Sequence, residues 1–434
     1  MKARFLLAAT GSGVGKTTLT LALLKAFADQ GVKVAPFKVG PDYIDPLWHK
    51  AAAKVPSYNL DGWLLPPVIL RALLHEKTAK DSLAIIEGVM GLYDGLGVTD
   101  EASSAHVARL TGTPVVLVVD GRGISFSAAA IVLGFRDLDP SVSIGGVIIN
   151  QLTSEGHYHL IKKAIEKETG VPVLGWLPKS PDLILDSRQL GLVPPEHCPR
   201  VEAKLSKLGS LAKQHIELER LRALSGTDLG EELPITKPVG QVKVALAKDA
   251  AFAAYDQGTL DLWQSFGASF IPFSPLHDQQ IPQGVQAVML CGSATSHYAH
   301  TLSQNRDMCA SFHNCDLPIW AEGLGAAYLG QELDGHLLTG LLEHKSYSSQ
   351  RLVRFGYIET TVGRAQEFRY IDGEITGANV TAYRPNRENS WSCGRHEPGL
   401  HVFWAHTQGW SNPGLIRDFL GYAINSGSIG NVDK

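Results

Sequence analysis

Gly11, Gly13, Gly15, Lys16, Thr17 and Thr18 stand together in Thr10-Gly-Ser-Gly-Val-Gly-Lys-Thr-Thr18, a combination that suits a phosphate group. The glycines let backbone N–H groups turn towards an anion with no Cβ in the way. Lys16 can reach β- and γ-phosphates, and the Thr17 hydroxyl can hold Mg²⁺. The usual pattern opens with Gly where Thr10 stands here. The nucleotide-binding set read from this loop is Gly11, Ser12, Gly13, Val14, Gly15, Lys16, Thr17 and Thr18, with ATP and Mg²⁺ as cofactors. The competing reading is a Gly-rich turn that binds nothing.

Two acidic stretches fit the same chemistry. In Phe37-Lys-Val-Gly-Pro-Asp-Tyr-Ile-Asp-Pro46, Asp42 and Asp45 share a turn bounded by Gly and Pro, where they could face Mg²⁺ or substrate. Lys38 could neutralise a phosphoryl group in transfer. Ile85-Ile-Glu-Gly-Val-Met-Gly-Leu-Tyr-Asp94 is a buried-strand run that ends at Glu87, where a P-loop enzyme carries its second metal carboxylate. The candidate catalytic set is Lys38, Asp42, Asp45 and Glu87, and the candidate metal set Thr17, Asp42 and Glu87. Against this, aspartates before proline often only cap a turn, and a strand-end Glu is often only a surface residue.

The elements that position these residues alternate in type. Ala3–Ala9, Val32–Lys38, Leu83–Glu87, Pro114–Val119 and Ser143–Ile149 read as strands. Between them lie helical patterns such as Thr17–Asp29, with Leu21, Leu24 and Phe27 on one side. Apolar strands alternating with helices predict a parallel sheet covered on both faces. The helical, charged stretch Val201–Leu224 closes a first domain at residues 1–224, and 225–241 reads as a linker. A second α/β domain, 242–434, opens with strand candidates Val242–Ala247, Ala268–Phe273, Ala287–Leu290 and Pro318–Ala321. Its tail, Arg351–Trp410, reads as rich in strands and turns.

Composition narrows the class. The chain has 434 residues, 44% hydrophobic and 19% charged, with a net charge of −4. That charge argues against a nucleic-acid binder working by bulk electrostatics. Five cysteines with no Cys-x-x-Cys pair fit a reduced cytoplasmic protein without disulfide or zinc scaffolding. No apolar run reaches the length of a membrane span, and Phe5–Thr10 is too short for a signal segment.

Taken together the motifs resemble one family, the cobyrinic acid a,c-diamide synthases. The matching words are Ser12–Thr18, Pro36–Pro46, Asn59-Leu-Asp61, Glu87–Gly95, Leu190-Gly-Leu-Val-Pro194, Lys248–Phe252, Phe273–Leu276 and Ser411-Asn-Pro413. The resemblance implies an α/β fold: a dethiobiotin-synthetase-like P-loop domain, then a flavodoxin-like class I glutamine amidotransferase domain. It also implies a reaction in which ATP phosphorylates a peripheral carboxylate of a tetrapyrrole and ammonia displaces the phosphate. Residues matching Asp42, Asp45 and Glu87 serve metal and substrate in that family. Cobyrinic acid, hydrogenobyrinic acid and sirohaem-type substrates remain open, as do one amidation or two. Family members often pair, which is compatible with a homodimer. Tyr43, Trp48, His49 and Trp63 read equally as neighbours of the macrocycle or as core.

The resemblance breaks in the second domain. The family sets a nucleophilic cysteine in an Ala-Glu-Cys-Gly-Gly turn, whereas this chain reads Ala321-Glu-Gly-Leu-Gly325. Gly323 has no side chain to form a thioester, and His406, at the family's catalytic histidine, is a base without a nucleophile. The oxyanion word has become Cys291-Gly-Ser-Ala-Thr-Ser296, and the Gly-His-Glu-Phe-His-Tyr word is placed at Gly377–Ala382. Cys291 reads as a buried structural thiol. Ammonia is therefore expected from solution or from a separate glutaminase. Two other function classes stay open: a P-loop ATPase switch or scaffold, and a non-catalytic tetrapyrrole-binding homologue. Switches usually carry a second lysine where Gly11 stands, which counts against the first.

Overall fold

The computed structural model describes residues 2–180, 187–188, 191–293, 296–385 and 389–429. Leu190 of the Leu190–Pro194 word, and Ala294 and Thr295 of the Cys291–Ser296 word, lie outside the described residues. The chain forms two compact units that divide between Leu233 and Pro234, inside the stretch read as linker. Residues 225–233 pack on the first unit: Arg4 is buried and donates to the Thr111 and Thr227 carbonyls and to Thr113 Oγ1.

In the first unit β1 (Arg4–Ala9), β2 (Val34–Val39), β3 (Tyr58–Leu60), β4 (Leu83–Glu87), β5 (Val115–Asp120), β6 (Ile144–Leu152) and β7 (Val173–Pro178) form one sheet. Its order is β3-β2-β4-β1-β5-β6-β7, and every neighbouring pair is parallel. β1 is buried along its whole length, as expected of a strand with helices on both faces. Helix α1 (Lys16–Asp29) lays Leu21, Leu24 and Phe27 into the core beside Phe5 and Leu7. Helix α2 (Asp45–Ala53) follows β2.

Register does the first part of the positioning. β2 lies next to β4, with Lys38 directly opposite Glu87, and Glu87 is in turn opposite Leu7 of β1. The P-loop leaves β1 at the same edge. The carboxyl ends of three adjacent strands thus deliver the loop, the lysine and the glutamate to one place, where ligands of open α/β sheets bind.

Among the described residues the second unit has a ten-stranded sheet. Ala268–Phe273, Val242–Ala247, Ala287–Gly292, Ile319–Gly323 and Leu400–Phe403 run parallel in that order. Antiparallel strands from the tail then extend it: Ser390–Glu397, Val380–Tyr383, Arg354–Thr360, Gly363–Arg369 and His406–Thr407. The architecture is α/β in both units. Among the described residues no helix is long and apolar enough to cross a membrane.

Candidate active site

The P-loop is shaped by two glycines in left-handed backbone, Gly13 at φ +77° and Gly15 at φ +100°. A Cβ on Gly15 would lie 2.2 Å from Asn150 Nδ2, so only glycine fits there. Asn150, at the end of β6, donates to the Val14 carbonyl at 2.7 Å and holds the loop from behind. No sequence motif singles it out. Nothing lies within 4 Å of where a Cβ would stand on Gly11 or Gly13, so the loop is uncrowded at both glycines. Lys16 opens α1 and folds back over the loop, donating to the carbonyls of Met90 and, at 3.4 Å, Gly11. Burial and then the nearby Lys38 charge push its ammonium down to about 8. An anion beside it would restore the charged form.

Around Thr17 and Lys38 the acidic residues converge. Thr17 Oγ1 donates to Glu87 Oε1 at 2.6 Å and lies 3.5 Å from Asp45 Oδ2. Lys38 Nζ sits between the same two carboxylates, 2.7 Å from Asp45 and 3.1 Å from Glu87. Glu87 is fully buried and Lys38 is 4% exposed. Burial favours neutral forms of both, but attraction outweighs it: the Asp45, Glu87 and Asp42 charges hold the Lys38 ammonium above its ordinary range. Burial likewise opposes the Glu87 charge, yet Lys38, His49 and Thr17 hold its carboxyl well below the usual range. Asp45 goes the other way, raised to about 8 by burial and, despite Lys38, by the crowding charges of Asp42 and Glu87. A cation beside these oxygens would favour the charged form of Asp45.

Of the sequence candidates, Thr17, Lys38, Asp45 and Glu87 come together. Asp42 stands beside them and acts locally, its Oδ1 accepting from the backbone N–H groups of Ile44 and Asp45 and fixing the entry to α2. Asp45 is the aspartate whose carboxylate lies against Thr17 and Lys38. Among the described residues no group of three His, Cys, Asp or Glu side chains forms a metal cage. Mg²⁺ does not need one, since it is commonly held by one or two carboxylates together with phosphates and water. Hard oxygens from Thr17, Asp45 and Glu87 beside a phosphate loop fit that ion. His49, which the sequence leaves undecided between core and macrocycle, belongs to neither description alone: it is fully buried and within 2.7 Å of Glu87. Trp48 and Trp63 are core, with Trp48 Nε1 donating to Val193 O.

In the second unit Gly323 sits at the sharp turn between strand Ile319–Gly323 and helix Leu324–Tyr328, at φ +59° and ψ −117°. The elbow persists, but its space is filled. A Cβ there would lie 2.2 Å from the Gly292 carbonyl oxygen, 2.7 Å from His406 Cε1 and 2.9 Å from His406 Nε2. His406 Nε2 is 3.2 Å from that same carbonyl oxygen, and burial pushes the ring's pKa down. Cys291 Sγ donates to Glu322, and burial raises its thiol far above the ordinary value, so it is inert. The word placed at Gly377–Ala382 is better matched by Glu367-Phe-Arg-Tyr370. That stretch begins in the strand that pairs with His406–Thr407, where Gln366 faces His406.

Beneath the elbow, His401 is stacked between Trp320 (3.6 Å) and Phe403 (4.0 Å). Burial lowers its pKa to about 4 from 6.5, against the pull of Glu322 at 3.5 Å. Because the folded value is the lower one, the unfolded chain takes up the proton first as pH falls. Stability is thus lost between pH 6.5 and about 4, by at most about 3 kcal/mol. Glu322, held below its ordinary range by His401, His406 and Thr407 in spite of burial, acts in the same direction. Thermal unfolding across that window is expected to show a shallower acid loss in His401→Phe than in the parent protein.

Comparison with known proteins identifies the family. Residues 5–192 match the CobQ/CobB/MinD/ParA nucleotide binding domain. A cobyrinate a,c-diamide synthase of Listeria monocytogenes serotype 4b is 44% identical, covering 96% of this chain and 99% of its own. That of Listeria monocytogenes serovar 1/2a is 40% identical over the same shares. The Salmonella typhimurium protein of that name is 35% identical over 96% of this chain and 98% of its own. Similarity of this degree, running through both units, shows that the chain belongs to the cobyrinate a,c-diamide synthase family.

Proposed function

We propose that the protein is an ATP-dependent amide ligase that converts acetate side chains of cobyrinate, or of a closely related carboxylated tetrapyrrole, to amides. The observation that carries the reading is the convergence of Thr17, Lys38, Asp45 and Glu87 beside a P-loop. The relatives' names supply the substrate class.

A carboxylate oxygen is a poor leaving group and phosphate a good one. The substrate carboxylate attacks the γ-phosphoryl group of ATP, and ADP departs with the bridging electrons. Ammonia then adds to the acyl carbon of the acyl phosphate, loses a proton, and expels inorganic phosphate. Lys16 and Lys38 would offset charge on the transferring group. Thr17, Glu87 and Asp45 would hold Mg²⁺, which neutralises phosphate oxygens when bound. Asp42 keeps α2, and with it Asp45, in register. With Gly323 at the elbow, ammonia comes from solution or from a separate glutaminase.

The test incubates candidate tetrapyrroles with ATP, Mg²⁺ and either ammonium or glutamine, and follows product masses. Exchange of hydroxyl for amino groups with ammonium, and none with glutamine alone, is expected. ADP release without any mass change would instead favour an ATPase switch.

A further inference from the structure

We propose that His49 is a positioning residue that locks the Glu87 carboxylate so that a single oxygen, Oε1, faces the cation site; this rests on the metal role proposed for Glu87. His49 Nε2 lies 2.7 Å from Glu87 Oε2, and His49 Nδ1 lies 2.9 Å from Ser57 Oγ. A carboxylate only accepts, so Nε2 carries the proton, and in the neutral ring Nδ1 then accepts from the Ser57 hydroxyl. Oε1, the other oxygen, takes the hydrogen bond from Thr17 and the charge of Lys38. The two oxygens are thus divided between the interior and the site.

Helix α2 makes this arrangement. Asp45 and His49 are one helical turn apart and therefore share a face. Asp45 meets Lys38 and Thr17, while His49 meets the far side of Glu87. His49 and Glu87 are both fully buried, so without the imidazole Oε2 would lose its interior partner and only Thr17 and Lys38, both on Oε1, would fix the carboxylate's orientation. Side chains that orient a metal's ligands commonly change affinity by about 10–100-fold when removed.

The full-length protein is titrated with Mg²⁺ in the presence of a fluorescent ATP analogue, and nucleotide binding in EDTA is measured alongside. His49→Ala and His49→Asn, whose side chains are too short to reach Oε2, are expected to raise the half-saturating Mg²⁺ concentration about 10–100-fold. Binding in EDTA should hardly change. His49→Gln, which can donate from nearly the same place, should recover most of the loss. A purely structural role would instead lower thermal stability in all three variants with no Mg²⁺-specific change. Equal Mg²⁺ dependence in His49→Asn, His49→Gln and the parent would overturn the inference, provided Glu87→Gln does shift it. If Glu87→Gln shifts nothing, the metal role of Glu87 fails, and the positioning role falls with it.

Discussion

Replacing Glu87 with Gln is expected to lower the rate of amide formation by at least about a hundredfold, the scale seen when one preorganised electrostatic group is removed from a reacting phosphate or oxyanion. The side chain keeps its volume and can still accept from Thr17. What it loses is a charge that Lys38, His49 and Thr17 together hold in place against burial. Lys38 keeps Asp45 as a partner at 2.7 Å, so the fold should survive while the reaction does not. Asp42→Asn makes the contrast. Its amide oxygen can still accept from Ile44 and Asp45, so a loss of no more than about tenfold is expected for a group that acts through α2. Steady-state rates of both variants with saturating ATP and ammonium decide the matter; equal losses would put Asp42 in the first rank beside Glu87.

Restoring a thiol by Gly323→Cys is expected not to restore glutamine hydrolysis. In a working elbow the nucleophile needs room for Cβ and sulfur, with the histidine at hydrogen-bond distance. Here the Gly292 carbonyl oxygen and the His406 ring have closed on the glycine. A cysteine would force the strand end, the ring or both to move, a cost on the order of 1–3 kcal/mol for strain or overpacking in a closed core. On this account the expected lack of glutaminase chemistry comes from a closed cleft as well as from a missing atom. Glutamate release stays at background in the parent and the variant under this account. Release from Gly323→Cys at a rate that supports amidation would show that the cleft is merely missing its thiol.

Much of the first unit could be read in the sequence because its parallel strands are short continuous apolar runs between turn residues. β3 and β7 escaped. The first is only Tyr58–Leu60, too short to show a pattern. In the second, Gly175 and Pro178 look like turn punctuation. Gly175 is there because its backbone touches the His215 carbonyl oxygen, 2.3 Å from where a Cβ would stand, a contact between residues distant in sequence. The P-loop, Lys38 and Glu87 were legible because their chemistry is local to a motif. The roles of His49 and Asn150 were not. They come from strand order and helix packing, which bring α2 against Glu87 and β6 behind Gly15. Asp42 and Asp45 look interchangeable as letters; only the turn geometry tells the capping aspartate from the one that faces Thr17.

The most direct test of the central claim labels the substrate's carboxylates with heavy oxygen and follows the label through turnover with ATP, Mg²⁺ and ammonium. If the carboxylate takes the γ-phosphoryl group, one labelled oxygen must appear in the inorganic phosphate for every amide formed. Amide formation with unlabelled phosphate, the label leaving only as water, would contradict the account.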